Sequence, residues 1–149
     1  MSELFLYYEG ALDAFLKDAI QEKEKLMKIV LGNELSVVHE DSFIIGDNYL
    51  HVVDNYAIRH IINKHSNEKE LLRGQETVQL NDLLRIPDIL RTYNTVKLEQ
   101  RNNKTMVIYE KVYDDHICHL VEEVREGRKE LAVVTFYKTK KGKLTGADS

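Results

Sequence analysis

The chain is short of the features that most readily declare a function. It has 149 residues and one cysteine, Cys118. A single thiol excludes an intramolecular disulfide framework and any multi-cysteine metal site. On its own, Cys118 reads as a small buried strand residue. No apolar run is long enough to span a bilayer. The opening MSELFLYYEG lacks the positive charge and small-residue cleavage site of a secretory signal, so a cytoplasmic location is expected. There is no glycine-rich phosphate loop, no G-x-S-x-G elbow and no internal repeat. Strong basicity is missing too. The net charge is −4, and it is uneven: residues 1–50 carry 4 Lys and Arg against 10 Asp and Glu, residues 51–149 carry 17 against 15. The acidic first part suits scaffold or a partner-facing surface. The second could meet a polyanion locally, but the chain is far from a strongly basic nucleic-acid binder.

What is present describes one ordinary domain. Hydrophobic residues make up 43% and charged residues 31% of the chain, normal for a soluble globular protein. A domain of this length can bury roughly 68–70% of its unfolded surface, enough to stand on one core. Residues 3–31 read as a single long helix, with Leu12, Phe15, Ala19, Leu26, Met27 and Val30 at helical spacing and Gly32-Asn33 as a stop. LSVVHEDSFIIGDNYLHVV, residues 35–53, alternates short β-branched runs with turn residues and predicts two or three short strands. Asp54 or Asn55 is a good N-cap for a helix running to His65. SNEKELLRGQ is a polar loop and TVQL a short strand. Asn81 caps a brief helix that Ile86-Pro87 ends.

From Thr95 onward the pattern is β. TVKLEQ, TMVIYEKVY, HICHLVEEV and ELAVVTFYKT are four strands separated by turns at residues 101–104, 114–115 and 126–128. A helix-rich first half followed by an antiparallel meander is an α+β pattern, with N-terminal helices packed on a mostly antiparallel sheet of about four strands. We assign residues 1–48 to a helix and short strands of the same globule, 49–140 to the core, and 141–149 to a flexible tail.

The stretch RHIINKH, residues 59–65, holds two of the six histidines. On a helical wheel Ile58, Ile61, Ile62 and His65 form one stripe, and His60 lies on the polar side. A five-residue spacing sets the two imidazoles about 140° apart. They are not the i, i+4 pair of a zinc-binding helix, and no glutamate sits between them, so no metal site is expected. Each histidine read alone fits a solvated helix end, favoured by the macrodipole, as readily as a site. In the strands, Val107, Tyr109, Lys111 and Tyr113 alternate onto one face, as do Leu131, Val133, Thr135 and Tyr137. If those faces coincide, Tyr109, Lys111, Thr135 and Tyr137 form a polar end to an apolar surface. Against this, tyrosine and threonine are common strand residues by propensity alone. His119 and Cys118 should point to opposite faces, which makes a joint site improbable.

The order of these pieces carries more than any one of them. LHVVDNYAIRHIINKH, then QETVQLNDLLRIPDILRTYNTVKL, then TMVIYEKV, then LAVVTFYKT resembles the phage and mobile-element branch of the barnase–EndoU–colicin–RelE-like nucleases, over roughly residues 49–140. The resemblance implies metal-independent RNA cleavage without a cofactor, by a toxin or phage-borne effector, with an immunity or antitoxin protein as a candidate partner. By motif, His60 and His65 match the two helix histidines, Lys111 the strand lysine, and Thr135 and Tyr137 the closing strand. Arg59 and Tyr109 are adjacent candidates for substrate binding. Cleavage of this kind needs a base for the 2′-OH, an acid for the leaving 5′-oxygen and a cation for the phosphorane, and these residue types can supply all three. The alternative is a non-catalytic interaction or structural module on the same fold, with the acidic first part docking a partner.

Overall fold

A computed structural model describes residues 4–6, 9–32, 39–40, 43–44, 49–65, 75–114 and 116–140. The polar loop expected over residues 66–75 lies outside them except for Gln75, which is in a strand, and the tail over 141–149 lies outside them too. The four expected strands of the second half are present as β7 (Thr95–Arg101), β8 (Lys104–Val112), β9 (His116–Arg125) and β10 (Glu130–Lys140). Their hairpins follow from turn chemistry. Asn102 and Asn103 both take positive φ, 50° and 66°, the conformation a tight two-residue hairpin turn needs and asparagine tolerates. A short 3-10 turn, Glu126–Arg128, with Lys129 left-handed at φ 54°, returns β9 into β10.

The sheet is larger than the four-strand meander. β1 (Leu4–Leu6), β2 (Lys28–Gly32) and β5 (Leu50–Asp54) extend it beyond β10, in the order β1-β2-β5-β10-β9-β8-β7, and β6 (Gln75–Glu76) also pairs with β10. β5 runs parallel to β10 and β1 parallel to β2, so the sheet is mixed, with eight strands. β3 (His39–Glu40) and β4 (Phe43–Ile44) form a separate two-stranded ribbon.

The single helix expected over residues 3–31 is therefore three elements: β1, α1 (Glu9–Ala19) and β2. Leu12, Phe15 and Ala19 are indeed α1 core positions, all buried. Beyond them the helical count continued only by coincidence. The backbone turns where Glu22 Oε2 accepts from the N–H groups of Glu24 and Lys25 at 3.0 and 2.9 Å. Asn55 then locks the turn from across the fold. Its Nδ2 donates to the carbonyls of Glu22 (2.9 Å) and Lys25 (2.8 Å), and its Oδ1 accepts from Met27 N–H (2.8 Å). Asn55 is fully buried. We expect Asn55→Ala, which strands three polar groups, to cost about 1–3 kcal/mol in chemical denaturation. An unchanged midpoint would show that the clamp is dispensable.

α2 (Asn55–His65) starts where expected, with Asp54 Oδ1 accepting from Ala57 N–H at 2.8 Å. Three other expectations fail locally. TVQL is not a strand; β6 lies just before it. Pro87 opens α3 (Ile86–Thr92) rather than ending a helix, because a proline in the first turn needs no N–H partner. The preceding 3-10 helix, Leu80–Arg85, is fastened by Gln79 N–H donating to Asp82 at 2.8 Å, not by Asn81.

The helices all cover one face of the sheet. Leu12 and Leu16 of α1, Ile58 and Ile61 of α2, and Ile86 and Ile89 of α3 share a core with Val107, Tyr109, Leu120, Leu131 and Phe136. Among the described residues the opposite face carries a small apolar cluster, Val30, Val52 and Ala132, near β2 and β5, and the buried pair Ile108 and Val121 between β8 and β9. Among the described residues no helix is long and apolar enough to cross a membrane.

Candidate active site

Register decides which polar residues meet. In the β8–β9 hairpin Lys111 pairs with Cys118, Glu110 with His119, and Tyr109 with Leu120. In β9–β10, Lys138 pairs with Cys118, Tyr137 with His119, and Phe136 with Leu120. Paired residues share a face and neighbours in sequence alternate. Lys111, Cys118 and Tyr109 thus lie on the helix-covered face. Glu110, His119 and Tyr137 lie on the other, with Thr135 two residues along.

The expected merging of Tyr109 and Lys111 with Thr135 and Tyr137 does not occur. The cause is a bulge in β10 between Val133 and Thr135. One extra residue reverses the alternation, so Leu131 and Val133 face the helices while Thr135 and Tyr137 face away. Tyr109 is wholly enclosed. Its hydroxyl donates to Glu122 Oε1 at 2.8 Å, and His51 Nδ1 lies 2.9 Å from Glu122 Oε2, all three residues being at most 2% exposed. Burial first, then the Glu122 charge, push the Tyr109 hydroxyl well above the usual tyrosine range, so it stays a donor. Tyr109 is a core residue in a polar network and does not face a substrate surface.

The helix that bears the two histidines packs on the face away from Thr135 and Tyr137. His60 is exposed on α2, which packs on the far face of the sheet. Arg59 lies partly exposed on the same helix. The side chain of His65 lies outside the described residues. Lys111 sits at the end of β8, its Nζ donating to Thr92 O at 3.2 Å.

The open face holds a compact polar group that sequence reasoning missed. The His119 ring stacks on Tyr137 with centroids 4.4 Å apart and planes 4° from parallel. Its Nδ1 is 3.2 Å from Glu110 Oε2, and its Nε2 is 3.0 Å from Thr139 Oγ1. Burial lowers the His119 pKa below the ordinary histidine value, and the Glu110 charge opposes this without reversing it. The ring is therefore neutral near pH 7. Nδ1 faces the carboxylate at ion-pair distance without a well-formed hydrogen bond, and Nε2 lies within hydrogen-bonding distance of the Thr139 hydroxyl. The Glu110 side chain is 44% exposed while that of His119 is 9% exposed, so the carboxylate is the end of the pair that a solvent-borne substrate reaches. Burial also raises the Tyr137 hydroxyl pKa. Beside Glu110 a niche of about 100 Å³ is lined by Thr95, Val96, Lys97, Ile108 and Glu110.

The sequence held a signal for this pairing. A turn centred on Asp114-Asp115 fixes a register in which 110 faces 119, because antiparallel partners are equidistant from the turn. Chemically, the group offers an exposed carboxylate backed by a neutral imidazole and a tyrosine ring, with a lysine lining the niche beside it. Among the described residues no three His, Cys, Asp or Glu side chains converge as metal ligands would.

An antiparallel meander extended into a mixed sheet, with helices on one face and a polar group on the other, defines an α+β domain. The chain belongs to the family described as phage-Barnase-EndoU-ColicinE5/D-RelE like nuclease 3, whose model matches residues 29–145. No curated protein and no solved structure matches it significantly.

Proposed function

We propose that this nuclease-family domain is a metal-independent ribonuclease acting through the open face of its sheet. The observation that carries the reading is the exposed Glu110 carboxylate held by the neutral, Tyr137-stacked His119. Glu110 takes the proton from a ribose 2′-OH, and that oxygen attacks the adjacent phosphorus, expelling the 5′-oxygen. The products are a 2′,3′-cyclic phosphate and a 5′-hydroxyl. Lys97, in the niche beside Glu110, supplies positive charge to the phosphorane and a proton to the leaving oxygen. His119 positions the carboxylate and shares its proton. The Tyr137 ring stacks on His119 and fixes the plane of the imidazole behind the base.

The phage association in the family's description supports a phage-borne toxin or effector acting on cellular RNA in the cytoplasm, and an immunity or antitoxin protein would be its partner. The net charge of −4 favours the competing reading, a non-catalytic interaction module. Incubation with a synthetic RNA in excess EDTA decides between them. Cleavage supports the ribonuclease, and intact RNA in EDTA refutes it.

The pH dependence has a definite sign. Because the folded pKa of His119 is lowered, the neutral ring survives as pH falls past the ordinary value of about 6.5. Below its own lowered pKa the imidazolium pairs with Glu110 and makes it a poorer base. The acid limb of kcat/KM should thus lie below pH 6.5 and shift in His119→Gln, which leaves only the titration of the base itself. A limb at or above 6.5 would contradict the assignment.

A further inference from the structure

Behind the Glu110–His119 pair, across the sheet, lies an open cleft of about 580 Å³ lined by Arg85, Asp88, Lys111, Val112, Tyr113 and Asp114. Sequence adjacency dictates the back-to-back arrangement. Lys111 follows Glu110 on β8, so the two side chains leave opposite faces at the same level.

The cleft is notable for its cations. The Arg85 guanidinium lies 4.5 Å over the Tyr113 ring and is hydrogen-bonded to His116 Nε2. Since arginine only donates, His116 accepts with that nitrogen. Lys111 Nζ has the Thr92 carbonyl at 3.2 Å and the Tyr113 ring at 5.9 Å. Neither Arg85 nor Lys111 has a carboxylate within ion-pair distance among the described residues, although the chain is acidic overall. Lys138 Nζ, by contrast, is paired with Asp82 at 3.1 Å. The Asp88 carboxylate is occupied by the Tyr113 hydroxyl at 2.8 Å. That contact, together with burial, raises the Tyr113 pKa. Asp114 at the hairpin tip is the one remaining carboxylate of the lining, and an acceptor there suits the amino group of a nucleobase.

Two cations held in place without carboxylate partners, in a cleft with an aromatic wall, suit a chain of phosphodiesters. We infer that this cleft, with Arg85 and Lys111 as its phosphate contacts, is a second RNA-binding site that grips the strand flanking the cut. The inference rests on the ribonuclease reading. From Glu110 to the hairpin tip at Asp114 the path is roughly 13 Å at about 3.3 Å per residue, so one single strand can lie on the open face, pass over the β8–β9 turn and enter the cleft.

The test uses the full chain carrying Glu110→Gln, which keeps RNA intact, and measures binding of a single-stranded RNA oligonucleotide against salt. Each lost phosphate contact lowers the slope of log affinity against log salt by about 0.7. Lys111→Gln is expected to lower it by about that amount, Arg85→Gln with Lys111→Gln by about twice it, and Lys111→Arg to restore it. Lys17→Gln, on α1, is the control for general charge. The Lys111 variants stand alone if the Arg85 substitution disturbs the fold, because among the described residues the Lys111 ammonium meets the Thr92 carbonyl and the Tyr113 ring and no buried charge. A slope unchanged by Lys111→Gln, or changed equally by Lys17→Gln, overturns the inference while EDTA-resistant cleavage by the unsubstituted protein still supports the ribonuclease. Absence of both binding and cleavage refutes both. A single-stranded DNA of the same sequence showing the same Lys111 dependence supports phosphate contacts. Dependence on Lys111 for inorganic phosphate alone, without any for RNA, also overturns the inference.

Discussion

Glu122→Ala should unfold the protein at a markedly lower temperature. Glu122 is fully buried and is the shared partner of two other buried groups, His51 Nδ1 at 2.9 Å and the Tyr109 hydroxyl at 2.8 Å. Removing one member of a buried charged network costs about 3–5 kcal/mol, because the groups left behind have exchanged water for nothing. For a chain of this length each kcal/mol shifts the midpoint by roughly 2–4 °C, so a drop of about 6–20 °C is expected in calorimetry. Glu122→Gln, which keeps the shape and an acceptor, should lose less. A loss below about 1 kcal/mol for Glu122→Ala would mean that the network is not what fixes β5, β8 and β9 in register.

The largest effect on activity is expected from Glu110→Gln. It removes the base and leaves the volume, and general-base catalysis contributes about 10²–10⁴-fold to rate. The fall should appear in kcat with little change in KM, because the residue acts on the 2′-OH proton and not on the backbone of the RNA. His60→Ala should cleave as the unsubstituted protein does, since His60 is exposed on α2, on the far side of the sheet. If His60→Ala abolished cleavage and Glu110→Gln did not, the site would have to be moved to the helix layer.

The four meander strands were legible because their turns are chemically explicit: Asn102-Asn103, Asp114-Asp115 and Glu126-Gly127-Arg128 all fall between alternating runs. α2 was legible from Asp54 and the isoleucine stripe. The N-terminal strands were not. Leu26, Met27 and Val30 satisfy a helical period and a strand equally well, and what breaks the helix is Asn55, distant in sequence and supplying tertiary hydrogen bonds. At the site, Thr135 and Tyr137 were legible as residues but not in direction. Strict alternation sets them beside Leu131 and Val133, and a single bulge, which leaves no mark in composition, turns them to the open face. Glu110 and His119 were hidden by the same habit of reading one strand at a time. Their meeting is a property of the hairpin register.

The measurement closest to the central claim is the chemistry of the cut ends. A synthetic RNA is digested in excess EDTA by the unsubstituted protein and by Glu110→Gln, and the fragments are identified by mass spectrometry. The account predicts 2′,3′-cyclic phosphate and 5′-hydroxyl ends from the first and, over the same time, at least about 10²-fold less product from the second. Fragments ending in 3′-hydroxyl groups, or equal cleavage by the two proteins, would contradict it.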